Sequence, residues 1–220
     1  MTKVIICGTR RKEDIDLLVE AGDDGIGLIT EVWQDIPCNL SRTQAEELNC
    51  LVPPLVSSVL IVTEERVDEI CHMVEQLSPD ILQLHGFNNP EDIATLKKRL
   101  KTKIIKVLHF QGEKMAEGDD PTEYAKQCIA TGADAILADS YQTDKVGATG
   151  KTICLSVARE IRNKIYPTPF ILSGGLHPDN VSEAIDEVEP YAVDVFSGII
   201  SSGYLDGGKV KRFIAKVHSK

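Results

Sequence analysis

The sequence predicts an α/β fold, a single-domain (β/α)8 TIM barrel over residues 1–220, and two features of its hydrophobic pattern indicate this. First, short, nearly continuous apolar runs alternate with longer segments whose apolar residues recur at helical spacing, in about eight rounds. Second, no linker, low-complexity tract or change in composition divides the chain. An open doubly wound sheet is the competing architecture, but it more often has about five or six strands.

The predicted strands are apolar runs of five or six residues, as expected of parallel strands that are covered on both faces. In chain order they are residues 3–7, 25–29, 58–62, 80–84, 103–108, 134–138, 168–173 and 192–196. Helix start signals stand between them. Proline takes the first helical position at Pro90 and Pro121, and Ser41 and Pro178 mark two further helix starts.

Composition and charge restrict the classes of partner. With 34 acidic and 24 basic side chains the net charge is -10, which repels nucleic acid and anionic membranes. No run is apolar for long enough to cross a bilayer, and the first residues become charged too soon for a signal peptide, so a cytoplasmic location is predicted. The six cysteines include no CxxC pair, which argues against a zinc site and a disulfide framework.

Two pairs of residues near the end of the chain predict a phosphate site. Gly174 and Gly175 follow the seventh predicted strand, and Ser197 and Gly198 follow the eighth. Loops seven and eight of such a barrel often bind phosphate, because glycine lets backbone N–H groups approach the oxygen atoms closely. The alternative is a pair of tight turns that need a positive φ.

A thiol and a carboxyl group stand at the ends of two other predicted strands. Cys7 ends the first strand near Arg10 and Arg11, and it can accept a proton if nearby positive charge lowers its pKa. Asp139 ends the sixth strand, where partial burial favours a raised pKa and a role as general acid. The structural alternatives are a buried core cysteine and a turn-forming aspartate.

Two further features belong to the same predicted rim. Residues 147–151, Gly-Ala-Thr-Gly-Lys, lack the spacing of a nucleotide-binding P-loop and are interpreted as a lid over the barrel mouth, with Gly147 contacting the ligand. His85 ends the fourth strand and either lines the site or makes a structural hydrogen bond.

Six short motifs resemble, in order and spacing, those of the phosphoribosylanthranilate isomerase family of tryptophan biosynthesis. They are ICG (residues 6–8), QLHG (83–86), ILADS (136–140), GATGKT (147–152), LSGGLHPDNV (172–181) and VDVFSG (193–198). The resemblance implies an aldose–ketose isomerase that performs an Amadori rearrangement without cofactor or metal. It also implies that Asp139 is the general acid, that Cys7 is the general base and that the only ligand is a small phosphosugar. A monomer or a homodimer is expected.

Two positions depart from the family pattern. Ile5 stands where the family usually has lysine, and Cys38 stands where it has an arginine that contacts the anthranilate portion of the substrate. Arg42, four residues further on, is the predicted replacement, provided that the loop shifts. Two alternatives therefore stay open: a paralogous isomerase acting on a different phosphosugar amine, and a barrel that binds a phosphoribosyl ligand without turnover.

Overall fold

Eight parallel strands close into a barrel in the computed structural model, which describes residues 1–33, 36–142, 145–146 and 153–220. The strands are β1 (Lys3–Cys7), β2 (Gly25–Ile29), β3 (Ser57–Val62), β4 (Ile81–Leu84), β5 (Lys103–Gln111), β6 (Ala135–Gln142), β7 (Phe170–Leu172) and β8 (Ala192–Val195). Each strand pairs with its neighbours in sequence, and β1 pairs with β8 to close the ring. The predicted (β/α)8 barrel is confirmed.

A helix follows each strand and packs against the outside of the barrel. The helices are α1 (Lys12–Ala21), α2 (Arg42–Asn49), α3 (Val67–Leu77), α4 (Pro90–Arg99), α5 (Pro121–Ala130), α6 (Leu155–Ile165), α7 (Val181–Val188) and α8 (Gly207–His218). Ser41 and Asn89 form capping boxes at two helix starts, as their sequences indicate. Among the described residues, none of these helices has the length and apolar content needed to span a membrane.

Strand alternation sorts the barrel side chains into two sets. One set packs outward against the helices, and the other, which includes Ile5, Val59 and Leu137, fills the barrel interior. Near the carboxyl ends of the strands the interior changes from aliphatic to polar, since Cys7, Gln83 and Asp194 lie there. The barrel interior is therefore aliphatic over most of its length and polar at the carboxyl ends of the strands.

Four elements differ most from the sequence-based prediction. β5 and β6 continue three and four residues beyond their predicted ends, because the two-residue strands Lys114–Met115 and Lys145–Val146 pair with them as hairpins. β7 begins only after Pro169, which has no N–H to donate to a ladder. α7 begins at Val181 and not at Pro178. The extension of β6 places Asp139 within a strand. Its backbone is therefore paired with β5, and this pairing fixes the direction of its side chain.

Candidate active site

A cavity opens at the carboxyl ends of the barrel strands, where sites in this architecture lie. Its volume is about 770 Å³, including space open to solvent. It brings together six of the nine predicted site residues, which are Cys7, His85, Asp139, Gly174, Gly175 and Ser197. One wall is apolar and consists of Ile29, Val32, Ile36 and Ile61. Within the described ranges, no three His, Cys, Asp or Glu side chains lie close enough together to hold a metal ion.

Asp139 forms the acidic side of this cavity. Its Oδ1 accepts a 2.7 Å hydrogen bond from the backbone N–H of Ser140, and the Ser173 side chain also bonds to its carboxylate. Burial, and then the negative charge of Asp194, raises the pKa of Asp139 to about 7. A carboxyl group with such a pKa holds its proton in a substantial fraction of molecules at neutral pH, which suits a proton donor.

His85 lies beside Asp139 as a neutral ring. Its Nε2 is 3.5 Å from Oδ2 of Asp139, and its ring meets that of His109 edge-on at a centroid distance of 5.4 Å. Burial, helped by the neighbouring His109 and Lys106, lowers the pKa of His85 to about 3. The contact with Asp139 is therefore between a carboxyl group and an uncharged imidazole at neutral pH, and it does not stabilise the ionised carboxylate as an ion pair does.

Cys7 lines the cavity at the end of β1 and contacts a second carboxylate. Its Sγ donates to Oδ1 of Asp194 over 3.2 Å, and Nε2 of Gln83 donates to the other oxygen of Asp194 over 3.3 Å. Burial raises the pKa of Cys7 well above its usual value, and the negative charges of Asp194 and Asp23 raise it further. In the ligand-free protein the group is a neutral thiol.

The condition on which the sequence-based role of Cys7 rested is not met. Neither Arg10 nor Arg11 lowers the pKa of the thiol, because both side chains lie elsewhere. Arg10 donates to the backbone carbonyl of Gly203, and Arg11 pairs with Asp14. In the part of the chain that the structure describes, the hydrogen-bond partner of the thiol is the carboxylate of Asp194.

Asp194 is the candidate functional residue that sequence reasoning missed, since it lines the cavity and contacts Cys7. It lies inside β8, facing the barrel interior, and burial raises its pKa to about 6, while its bonds from Cys7 and Gln83 act in the opposite direction. The available signal was an aspartate in the middle of the apolar run 192–196, because a charged residue in a strand that is covered on both faces needs a partner.

The glycine turns pack tightly beside the cavity. Gly174 has φ +85° and Gly175 has φ +64°, and a Cβ on Gly174 would lie 2.6 Å from the backbone nitrogen of Ser140. A Cβ on Gly198 would lie 1.9 Å from the carbonyl oxygen of Leu176, so the loops after β7 and β8 touch through bare backbone. Glycine is required here both for backbone conformation and for close approach.

Three predicted site residues do not line the cavity. Arg42 pairs with Glu31 at 2.7 Å and with Glu69 at 3.1 Å at the start of α2. Gly198 lies behind the cavity wall, in the contact between the two glycine turns. Gly147 and the predicted lid lie outside the described residues.

The barrel and its cavity define the class of the protein, a (β/α)8-barrel enzyme. The family model described as N-(5'phosphoribosyl)anthranilate (PRA) isomerase matches residues 4–216, and the chain belongs to this family. It is 38% identical over 215 residues to N-(5'-phosphoribosyl)anthranilate isomerase of Haloarcula marismortui, covering 97% of this chain and 95% of that one. The family resemblance found in the sequence is thereby confirmed.

Solved structures agree with this membership. The crystal structure of phosphoribosyl anthranilate isomerase from Thermotoga maritima superimposes with a TM-score of 0.84 at 28% identity, covering 100% of both chains. A second structure of this isomerase, in complex with reduced 1-(o-carboxyphenylamino)-1-deoxyribulose 5-phosphate, superimposes with a TM-score of 0.80 at 27% identity and also covers 100% of both chains.

Proposed function

We propose that the protein is an N-(5'-phosphoribosyl)anthranilate isomerase, which converts an aminoaldose into an aminoketose by an Amadori rearrangement in tryptophan biosynthesis. The observation that carries this is the convergence of Asp139 and Cys7 on one cavity beside two glycine turns. An acid and a base that act on different atoms of one sugar must face it from different sides, and β6 and β1 supply them from separate parts of the ring.

Asp139 is the proposed general acid. Its carboxyl group, with a pKa of about 7, donates a proton to the ring oxygen of the furanose. The bond between this oxygen and C1' then breaks, and the lone pair of the anthranilate nitrogen forms a double bond to C1'. The product of this step is an open-chain, positively charged Schiff base.

Cys7 is the proposed general base in the second step. Its sulfur takes the proton from C2', the electrons of the C–H bond form the C1'–C2' double bond, and the nitrogen becomes neutral; the resulting enolamine tautomerises to the ketone. The thiol must first lose its own proton, and the carboxylate of Asp194, 3.2 Å away, is positioned to accept it. The positive charge of the Schiff base favours the thiolate in the same cavity.

The rest of the cavity matches the two ends of this substrate. Gly174, Gly175 and Ser197 line it on one side, and with Gly198 behind them they present backbone suited to a phosphate group. The apolar wall, which includes Ile29, suits the flat ring of anthranilate. The reaction as proposed uses no metal or cofactor. A cytoplasmic location and a monomeric or homodimeric state stay predictions.

One observation favours a second candidate, an isomerase for a different phosphosugar amine. Cys38 is a buried, uncharged thiol whose pKa burial raises to about 11, and it stands at the position of the family arginine. A cysteine does not form the planar two-bond contact that arginine makes with a carboxylate.

The experiment is a fluorescence assay of freshly prepared phosphoribosylanthranilate. The proposal predicts that purified protein makes the anthranilate fluorescence decay and that Cys7→Ala abolishes most of this rate. Turnover of a phosphoribosyl amine other than phosphoribosylanthranilate, with no fluorescence decay of phosphoribosylanthranilate, would favour the paralogous isomerase. Binding of the phosphosugar without any decay would indicate a barrel that has lost turnover.

A further inference from the structure

The proposed substrate carries a negative charge that the cavity wall does not match. Anthranilate has a carboxylate on its ring, and a buried or half-buried carboxylate needs a cation or several hydrogen-bond donors. Among the described residues, the side chains that line the cavity include no lysine or arginine. Arg42 is already paired with Glu31 and Glu69.

Arg10 follows β1 and contacts the segment between β8 and α8. Its Nη1 donates to the carbonyl oxygen of Gly203 over 3.0 Å, and its guanidinium carbon is 4.5 Å from the centre of the Tyr204 ring. Gly203 in turn adjoins the loop after β2, because a Cβ on it would lie 3.7 Å from Cγ of Pro37. Arg10 is thereby held against the loop that contains Cys38.

Cys38 connects this position to the cavity wall. Its buried side chain packs in the barrel-interior cluster with Cys7, Ile29 and Val32, with Ile36 against that cluster. The guanidinium of Arg10 is close enough to Cys38 for its positive charge to oppose the rise in the pKa of that thiol, which burial causes. Arg10 thus brings a charge to the region where the family pattern has its arginine.

We propose that Arg10 binds the carboxylate of the substrate's aromatic half and thereby determines specificity for anthranilate. This inference rests on the proposed function. A guanidinium has five N–H donors in a flat fork, and the bond to Gly203 uses one of them. The contact with the Tyr204 ring holds the plane of the fork in place, which reduces the entropy lost when a carboxylate binds.

Arg11 is a matched control within the same loop. It has the same charge as Arg10, and its guanidinium carbon is 5.1 Å from the centre of the same Tyr204 ring. Its Nε, however, pairs with Asp14 over 3.3 Å at the start of α1. A non-specific loss of positive charge affects both variants, whereas loss of a carboxylate contact affects only Arg10→Ala.

The experiment compares two ligands by isothermal titration calorimetry. One is 1-(o-carboxyphenylamino)-1-deoxyribulose 5-phosphate, and the other is the same molecule without the carboxylate. We expect the wild-type protein and Arg11→Ala to bind the carboxylated ligand about 10- to 100-fold more tightly, as one charge-assisted contact provides. Arg10→Ala is expected to bind both ligands about equally. In turnover it is expected to raise KM by a similar factor, with a smaller change in kcat.

Arg10→Ala combined with Cys38→Arg is a second, gain-of-function test. It is expected to restore at least part of the preference for the carboxylated ligand, provided that the melting temperature shows a folded protein. An unchanged preference in Arg10→Ala, or no preference in the wild type, would overturn the inference while leaving the isomerase proposal intact. Failure of the wild-type protein to bind either phosphosugar would contradict the proposed function, and the inference with it.

Discussion

The two sides of the cavity place a carboxyl group and a thiol in similarly buried surroundings, and burial affects their proposed roles in opposite ways. On the β6 side, burial raises the pKa of Asp139 to about 7 and keeps its proton available for donation. On the β1 side, burial and Asp194 raise the pKa of Cys7, which leaves a neutral thiol where a proton acceptor is required. The same desolvation prepares the acid and disables the base.

This difference indicates that the acid is ready before substrate binds, whereas the base needs the reaction to proceed. Asp139 requires only contact with the ring oxygen. In the proposed mechanism, Cys7 transfers its proton to Asp194 and gains its driving force from the cation that ring opening creates. The order of the two proposed steps, acid first and base second, agrees with the pKa directions of the two groups in the ligand-free cavity.

The largest effect is expected for Asp139→Asn. Asparagine keeps the shape of the side chain and can still accept the bond from Ser140, but it donates no acidic proton. We expect kcat to fall by about 10²-fold or more in the phosphoribosylanthranilate assay. A near-normal kcat would show that Asp139 is not the general acid and that its raised pKa has no catalytic use.

Cys7→Ala tests the base side and is expected to lower kcat by roughly 10²-fold. The matched control is Cys71→Ala, because Cys71 is equally buried but lies on α3, away from the cavity. The control is expected to lose some stability to the small space it creates and to keep its kcat. Equal activity losses in the two variants would mean that the thiol has no chemical role.

Asp194→Asn tests the coupling between the two carboxylates through the pH profile of the activity that remains, because Asp194 is also the proposed proton acceptor for Cys7. Activity that needs protonated Asp139 is lost as the pH rises through its pKa of about 7, and the charge of Asp194 helps to hold that pKa high. Removing this charge lowers the pKa of Asp139, so the alkaline limb of kcat/KM should move to lower pH. An unmoved limb, or one displaced upward, would show that the carboxylates do not interact as described.

The smallest effect is on stability, and it requires no substrate. Because the pKa of Asp139 is about 7 in the folded protein and near 4 in the unfolded chain, its folded form retains a proton between these values. Stability from this group is therefore greatest at low pH and falls as the pH rises from about 4 to about 7, by at most about 4 kcal/mol.

Denaturant unfolding at pH 4.5 and pH 7.5 measures this difference. Asp139→Asn should gain stability relative to wild type as the pH rises. Asp134→Asn is the control: although partial burial acts against this, bonds from Ile104, Lys97 and Lys103 lower the pKa of Asp134, so its stabilising contribution is already present above about pH 4. This variant should therefore lose a similar amount of stability at both pH values. The same trend in both variants would contradict the assigned directions.

The barrel and its reactive groups were predictable because strand-end chemistry follows local rules. Eight apolar runs, each followed by a helix, identify the fold, and Cys7 and Asp139 stand out as polar residues that end such runs. The strand ladder then fixes where both side chains point. Their roles as acid and base are implied by the family resemblance and stay proposals.

The surroundings of these groups were not predictable, because they depend on contacts between distant segments. Asp194 and Cys7 are 187 residues apart in sequence, and Arg10 meets Gly203 across 193 residues. The charges of Arg10 and Arg11 suggested a lowered pKa for Cys7, yet both side chains lie elsewhere. Arg42 was the obvious cation after the second strand, but only the structure shows that Glu31 and Glu69 pair with it.

A crystal structure of this protein with reduced 1-(o-carboxyphenylamino)-1-deoxyribulose 5-phosphate tests the central claim most directly. The account predicts the phosphate against Gly175, with Asp139 and Cys7 on different sides of the sugar chain. It also predicts Sγ of Cys7 within about 3.5 Å of C2', the separation of a reactive geometry. A sugar chain bound with C2' remote from Cys7, or a phosphate bound away from the glycine turns, would contradict it.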